Sequence, residues 1–421
     1  MAPTIQPVRG THDLMAADYA LYAHIVGEAK RIAQLYGYRQ IATPIIEFSE
    51  VFHRAVGETS DIVSKETYTF TDRGGESITL RPEFTAAVVR AFISNKLTQD
   101  LPFKCFYAGP AFRYERPQKG RQRQFHQFGV ELLGAAEPIA DVEIIALGMQ
   151  VIRALGLAHV VTLELNSLGD VESRANYRAA LVDYLLQHEA GLSDDSKTRL
   201  EKNPLRILDS KNEADRSIIA GAPRLGDYFN DASSAHFASV QAGLNHLEIP
   251  YKISDTLVRG LDYYSHTVFE FTTDKLGAQG TILAGGRYDG LVSLMGGPDI
   301  SGVGFGAGIE RWMMLLEGME LTAPSPVVII PMQPELEAEG FTLAQQLRVN
   351  GIATDIGYKG NAKKRFERAN KIGAAFAVII GEEELARGEC TLKNLTTGHQ
   401  QSVAHDALIS LLKSADLKTG D

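Results

Sequence analysis

The chain has 421 residues, with 42 Lys and Arg against 52 Asp and Glu, for a formal net charge of −10. Apolar residues make up 44% and charged residues 22%, ordinary globular proportions that exclude a largely disordered chain. At roughly 100–200 residues per domain the length implies two or three domains. No apolar run reaches the ~18–20 residues that span a bilayer, and the opening MAPTIQPVRGTHDL lacks the apolar core of a secretory signal. Cys105 and Cys390 make neither a disulfide framework nor a metal site. The expectation is a cytoplasmic protein with no membrane partner, and its acidity argues against nonspecific coating of nucleic acid.

Apolar positions at Leu21, Ile25, Ala29, Ile32 and Leu35 recur at helical spacing and predict an amphipathic helix over Tyr19–Gly37. Ile41–Phe48 then reads as a strand interrupted by Pro44, which cannot donate to a ladder and marks an edge strand or a bend at an interface. LRPEFTAAVVR, residues 80–90, sets Arg81, Glu83 and Thr85 before an apolar helix. Glu83 and Thr85 fit N-terminal helix positions as well as they fit a site. Residues 101–134 predict a long hairpin with strands Phe103–Arg113 and Phe125–Leu132. Alternation puts Tyr107, Gly109, Ala111 and Arg113 on one face of the first strand, and Phe125, Gln127, Gly129 and Glu131 on one face of the second. Such a face is a poor core and a good floor for a polar ligand. The connection carries Arg116, Lys119, Arg121 and Arg123, either a solvated tip or a cationic loop that meets a polyphosphate or nucleic-acid backbone.

From about residue 170 to 250 the text turns helical and charged, an insertion within an antiparallel β framework. LVRGLDYYSHTVFEF (257–271) and AGGRYDGL (284–291) bring Arg259, Tyr263, Tyr264 and Arg287 beside glycines, which raises the odds of a pocket. In SGVGFGAGIERWMMLL, residues Gly302, Gly304, Gly306 and Gly308 alternate, so a strand here bares one face to a flat group. Arg311 follows in the first turn of a helix, where the dipole favours an anion rather than a cation. The loose match of Gly302-x-Gly304-x-x-Ala307 to a dinucleotide fingerprint is weak, because no apolar strand precedes it. A boundary falls near 325. Beyond it, Val327–Ile330, a helical stretch, Ile352–Ile356, a basic helix from Asn361 to Ile372 and Phe376–Ile380 predict βαβ units around a parallel sheet. Arginines in three separated segments, with carboxylates and a bare strand, imply ATP or another polyphosphate beside a small polar substrate.

Together these segments closely resemble the bacterial histidyl-tRNA synthetase family, within the class II aminoacyl-tRNA synthetases, over essentially the whole length. The helix with the Pro44 strand looks like motif 1, FRYERPQKGRQRQFHQFGVE like motif 2 and GVGFGAGIER like motif 3; LVRGLDYYSHTVFEF and GGRYDGL resemble the histidine-specific segments. The resemblance implies an α+β fold: a class II antiparallel sheet flanked by helices over 1–325, with the helical insertion, and an α/β anticodon-binding domain over 326–421. It implies that L-histidine is activated with ATP to histidyl-adenylate and passed to the 3′ end of histidine tRNA, in a cytoplasmic homodimer with Mg²⁺ accompanying ATP. Arg113 and Arg259 would grip the α-phosphate as the catalytic arginines. Arg311 would hold the γ-phosphate, and Arg121 would meet the phosphates from the loop. The nucleotide would lie over Gly304 and Gly306. Glu83, Thr85 and Gln127 would hold the amino group of histidine. Glu131 and Tyr264 would read its imidazole, with Tyr263 nearby. Arg116 and Gln118 would touch the extra 5′ guanosine of the tRNA, and Lys363, Lys364, Arg365 and Arg368 would contact phosphates. No metal ligands are assigned. A histidine-sensing regulatory subunit of a phosphoribosyltransferase shares the catalytic fold, but such proteins usually lack the C-terminal module and erode the ATP-binding arginines, both of which are present here.

Overall fold

A computed structural model describes residues 3–56, 62–210, 212–258, 261, 263–321 and 325–416. The chain divides into two compact units, Met1–Met319 and Glu320–Asp421. In the first unit the strands are β1 (Arg39–Gln40), β2 (Ile46–Phe48), β3 (Tyr68–Thr71), β4 (Ser77–Leu80), β5 (Phe103–Phe112), β6 (Gln124–Leu133), β7 (Thr162–Ser167), β8 (Lys252–Ile253), β9 (Ser265–Thr272), β10 (Thr281–Arg287) and β11 (Gly302–Gly308). Eight of them form one sheet in the order β1-β5-β6-β11-β10-β9-β7-β8. The six inner strands pair antiparallel, and β1 and β8 join the two edges in parallel.

The two faces of this sheet differ because the side chains alternate. On one face Phe106, Phe128, Val130, Phe305, Leu283, Phe271 and Leu165 are buried with Ile25, Ile32, Ile144 and Val151 from the helices Ala16–Leu35 and Pro138–Ala154. Trp312, fully buried there, donates its indole N–H to the Ile282 carbonyl at 2.9 Å. The opposite face carries Tyr107, Gln127, Glu131 and the alternating glycines of β11. It has too little apolar surface to be a core, and it forms the site.

Ile41–Phe48 does not make one strand. The chain leaves the large sheet after β1, passes Pro44 and enters β2, at the edge of a separate sheet of order β2-β4-β3. Between β7 and β8 run the helices Val171–Gln187, Asp194–Lys202, Glu213–Ile219 and Asp231–His246.

The second unit holds β12 (Val327–Pro331), β13 (Thr354–Ile356), β14 (Phe376–Ile380), β15 (Glu389–Asn394) and β16 (Gln400–Ala404), in the order β13-β12-β14-β15-β16. The first three are parallel, joined through the helices Glu337–Val349 and Ala362–Lys371. β15 and β16 then extend the sheet antiparallel, so it is mixed rather than purely parallel. These two strands escaped the sequence reading because ECTLKN and QQSVA carry no apolar run. The basic helix also needs correction. Arg365 is buried, donating to Pro331 O at 2.8 Å and Gly360 O at 3.1 Å and pairing with Glu337, while Arg368 pairs with Asp355 at 2.8 Å. Of the four cations named there, Arg365 and Arg368 therefore brace the unit itself, Arg365 from a buried position, while Lys363, Lys364 and Arg368 are exposed. Among the described residues no helix is long and apolar enough to cross a membrane.

Candidate active site

A cleft of about 400 Å³ opens on the glycine-bearing face of the large sheet. The register explains its floor. Gly304, Gly306 and Gly308 of β11 stand opposite Glu131, Gly129 and Gln127 of β6, and Tyr107 and Gly109 of β5 stand opposite Gly129 and Gln127. Of the residues singled out in the sequence, Glu83, Thr85, Arg113, Arg121, Gln127, Tyr263, Tyr264, Gly306 and Arg311 all line this one cleft. They come from four separate segments: 80–90, the hairpin, 257–271 and the glycine strand with its helix. Arg116 and Gln118 are exposed on the loop between β5 and β6, outside the lining. Arg259 lies outside the described residues.

Three cations converge here. Arg113 follows β5; its Nε donates to Pro82 O at 2.9 Å, and its guanidinium lies 5.3 Å from the centre of the Phe125 ring. Arg121 pairs through Nε with Glu115 at 2.5 Å. Arg311 donates to the carbonyls of Gly120, at 3.4 Å, and Thr281. Burial lowers the pKa of Arg311, and the repulsion of Arg121 and Arg113 adds to the effect. A cation cluster that destabilises its own charge is relieved by a polyanion.

Glu83 accepts the backbone N–H groups of Thr85 at 2.6 Å and Ala86 at 2.9 Å, at the start of the helix Thr85–Ser94. It is thus both a helix-terminal residue and part of the lining. Burial raises its pKa in spite of those two bonds.

Glu131 is beneath the floor rather than in the lining. Its Oε1 accepts from the hydroxyls of Thr85 at 2.8 Å and Tyr107 at 3.2 Å, and its Oε2 from Tyr288 at 2.5 Å. Burial drives its pKa up to about 8 against the pull of those hydroxyls. Gly304 makes this possible, since a Cβ there would stand 1.9 Å from Glu131 Oε2. The buried rings of Tyr263 and Tyr264 lie 4.7 Å apart. The carbonyl of Tyr264 accepts from Arg174 of the helical insertion at 2.6 Å.

Arg287 does not join the pocket. It is fully buried, paired with Asp141, and donates to the Ala135 and Glu137 carbonyls at the start of the helix Pro138–Ala154. Its neighbour Tyr288, which the sequence reading passed over, instead supports the site from below by donating to Glu131. Ala284, Gly286 and Tyr288 share one parity along β10 and beyond, so alternation alone could have separated the two. Tyr107 sat on the correctly assigned strand face but received no role. Glu115, Glu270 and Glu310 also line the cleft and were missed; Glu310, beside Arg311, accepts from the backbone N–H of His126 at 2.8 Å.

Residues 10–311 match the histidyl-tRNA synthetase family, and residues 326–415 match the anticodon binding domain. The chain belongs to the histidyl-tRNA synthetase family. It is 56% identical to a histidine–tRNA ligase of Rhodospirillum rubrum over 399 residues, 95% of this chain and 96% of that protein. It is 54% identical to the histidine–tRNA ligase of Gluconacetobacter diazotrophicus, with 97% and 98% covered. The crystal structure of apo Staphylococcus aureus histidyl-tRNA synthetase superposes with a TM-score of 0.82 at 37% identity, covering 97% of this chain and 99% of that one. Histidyl-tRNA synthetase structures are thus the fold's neighbours, and the α+β reading of a large, mostly antiparallel sheet with a C-terminal anticodon-binding domain stands.

Proposed function

We propose that this cleft binds ATP and L-histidine together, and that the chain, a histidine–tRNA ligase, carries out both steps of tRNA charging there. The observation that carries the reading is the convergence of Arg113, Arg121 and Arg311 in the same cleft as Glu83, Gln127 and Tyr264, over a strand stripped of side chains. In the first step the histidine carboxylate attacks the α-phosphorus of ATP in line and pyrophosphate leaves. Arg113 neutralises charge growing on the α-phosphate, and Arg259 is assigned the same task. Arg311 and Arg121 hold the outer phosphates. In the second step a ribose hydroxyl of the terminal adenosine attacks the mixed anhydride and AMP leaves.

Selection of histidine follows from donor and acceptor counting. In its ionised form, which an imidazole N–H bound to it favours, the Glu131 carboxylate offers about four acceptor positions, three of them taken by the hydroxyls of Thr85, Tyr107 and Tyr288. The fourth position is left for an imidazole N–H, and the Tyr264 hydroxyl serves the other ring nitrogen. An apolar isostere leaves both partners unpaired and is rejected strongly. Glu83, Thr85 and Gln127 hold the amino group, with Tyr263 closing the wall. The nucleotide lies over Gly306; the Glu131 carboxylate fills the open side of Gly304, which therefore makes room for that residue rather than for the nucleotide.

Among the described residues no three His, Cys, Asp or Glu side chains converge to hold a metal. Glu270 and Glu310 both line the cleft, and such a carboxylate pair suits Mg²⁺, which binds through substrate phosphates and one or two carboxylates. Glu270 and Glu310 would hold it, and it would neutralise phosphate charge.

Arg116 and Gln118, exposed on the loop, would meet the 5′ end of histidine tRNA. The catalytic domain is assigned to 1–325 and the anticodon-binding domain to 326–421. The homodimer reading rests on one face of the β2-β4-β3 sheet, where Ile46, Phe48 and Phe70 are 53%, 55% and 49% exposed, with Phe48 and Phe70 in register on either side of Ile78. A cytoplasmic location accords with free, buried Cys105 and Cys390. The test is histidine-dependent ATP–pyrophosphate exchange followed by tRNA charging. Arg259→Ala is expected to abolish exchange and to spare tRNA binding, and near-normal exchange in that variant refutes the role.

A further inference from the structure

The N-terminal segment ahead of the first helix takes no part in the scheme above, yet it touches both limbs of the loop that carries Arg116, Gln118 and Arg121. Residues 8–11 form a tight turn, closed by Thr11 N to Val8 O at 2.9 Å and Thr11 Oγ1 to Val8 O at 2.7 Å. The carbonyl of Gly10 then accepts the backbone N–H of Arg123 at 2.8 Å and of Gln124 at 3.3 Å, where the returning limb re-enters β6. On the outgoing limb, Pro117 packs so closely that a Cβ at Gly10 would stand 2.9 Å from its Cγ, and 2.8 Å from the Cγ of Arg123. Gly10 has φ +85°, which an L side chain rarely adopts. Space and backbone conformation therefore both demand glycine.

What this turn holds matters to the cleft. Arg123 N–H is fixed by Gly10, while Arg123 O accepts from Arg113 N at 2.9 Å and so closes the hairpin beside a phosphate-facing arginine. The Arg123 side chain reaches back across the loop, donating to Glu115 O at 3.2 Å and lying 4.0 Å from the centre of the Tyr114 ring. Glu115 in turn pairs with Arg121.

We propose that Gly10 is a positioning residue: the N-terminal turn clasps the base of the loop and sets Arg113 and Arg121 toward the phosphates before ATP arrives. The inference rests on the nucleotide role given to those arginines, and its test separates the two.

In the full-length chain, Gly10→Ala is expected to raise the KM for ATP by about tenfold or more and leave the KM for histidine within about twofold, since a small misplacement of a positioning group is felt selectively. Timed trypsin digestion without ATP, with mass spectrometry of the fragments, is expected to show faster cleavage after Lys119 and Arg121. Thr11→Val keeps Gly10 but removes the hydroxyl that closes the turn, and is expected to give the same pattern at smaller size. Faster loop cleavage with an unchanged KM for ATP supports the clasp and overturns the nucleotide role of the loop. Wild-type loop cleavage in both variants overturns the clasp. So does an equal loss for ATP and histidine that tracks a lowered unfolding midpoint.

Discussion

Gly304 and Gly306 look equivalent in the sequence, and the structure separates them. At 304 an added Cβ would lie 1.9 Å from Glu131 Oε2, 2.8 Å from its Cδ and 2.4 Å from Val130 O, where ordinary contact begins at 3.4 Å. Val130 O belongs to the paired backbone of β6 and cannot retreat without opening the sheet, so Glu131 must move. Its three hydroxyl donors then lose their acceptor. Three hydrogen bonds at about 1 kcal/mol each, plus about 1–3 kcal/mol of overpacking, put the cost at about 4–6 kcal/mol. At 306 the nearest atoms are Gln127 Nε2 and Tyr107 Oη, both at 3.8 Å, so alanine is accommodated and only its methyl enters the cleft. Gly304→Ala is expected to lower the urea unfolding free energy by about 4–6 kcal/mol and to abolish histidine binding by calorimetry. Gly306→Ala is expected to keep stability within about 0.5 kcal/mol and to raise the KM for ATP alone. A Gly304→Ala enzyme as stable and as histidine-competent as the parent refutes the packing argument.

Glu131 is an acid whose folded pKa, about 8, exceeds its unfolded value, so the folded state binds the extra proton between those limits. Its contribution is fully present below the unfolded pKa near 4.5 and declines as pH rises through 8, by a few kcal/mol on the order of the shift; Glu131→Gln is expected to flatten that part of the stability–pH curve, and an unchanged slope would count against it. Arg311→Ala and Arg113→Ala are each expected to slow ATP–pyrophosphate exchange by about 10²–10³ while histidine affinity is kept, and a loss under about threefold contradicts the phosphate roles. Phe48→Asp, placed on the exposed apolar rows of the small sheet, is expected to give a monomer by sedimentation; an unaltered oligomeric state argues that the dimer forms elsewhere.

The hairpin and the glycine strand could be read because their signal is local. Alternation over ten residues marks a face whatever lies across from it, and β5, β6 and β11 follow it. The helix Ala16–Leu35 was similarly plain, since Ile25, Ala29 and Ile32 repeat at the helical period. Pro44 announced a break in the chain but not that the halves enter different sheets. Arg287 misled because a buried ion pair with Asp141, 146 residues away, carries no local mark that distinguishes it from a pocket arginine. The polar strands β15 and β16 lacked the apolar signature on which strand assignment depends.

What local chemistry settles here is the inventory: which faces are bare, which segments carry cations, and which carboxylates stand near helix starts. Spatial pairing settles the rest. Glu131 is a hydroxyl-bound acid under the floor because Tyr107, Thr85 and Tyr288, at 24, 46 and 157 residues' remove, meet at one point. Burial there raises its pKa to about 8, a shift that no reading of neighbours along the chain supplies. The same holds for charge. A net −10 describes the whole surface, whereas fields in salt act over about 10 Å, so what a polyanion meets is local, and the fold has gathered Arg113, Arg121 and Arg311 into one cleft.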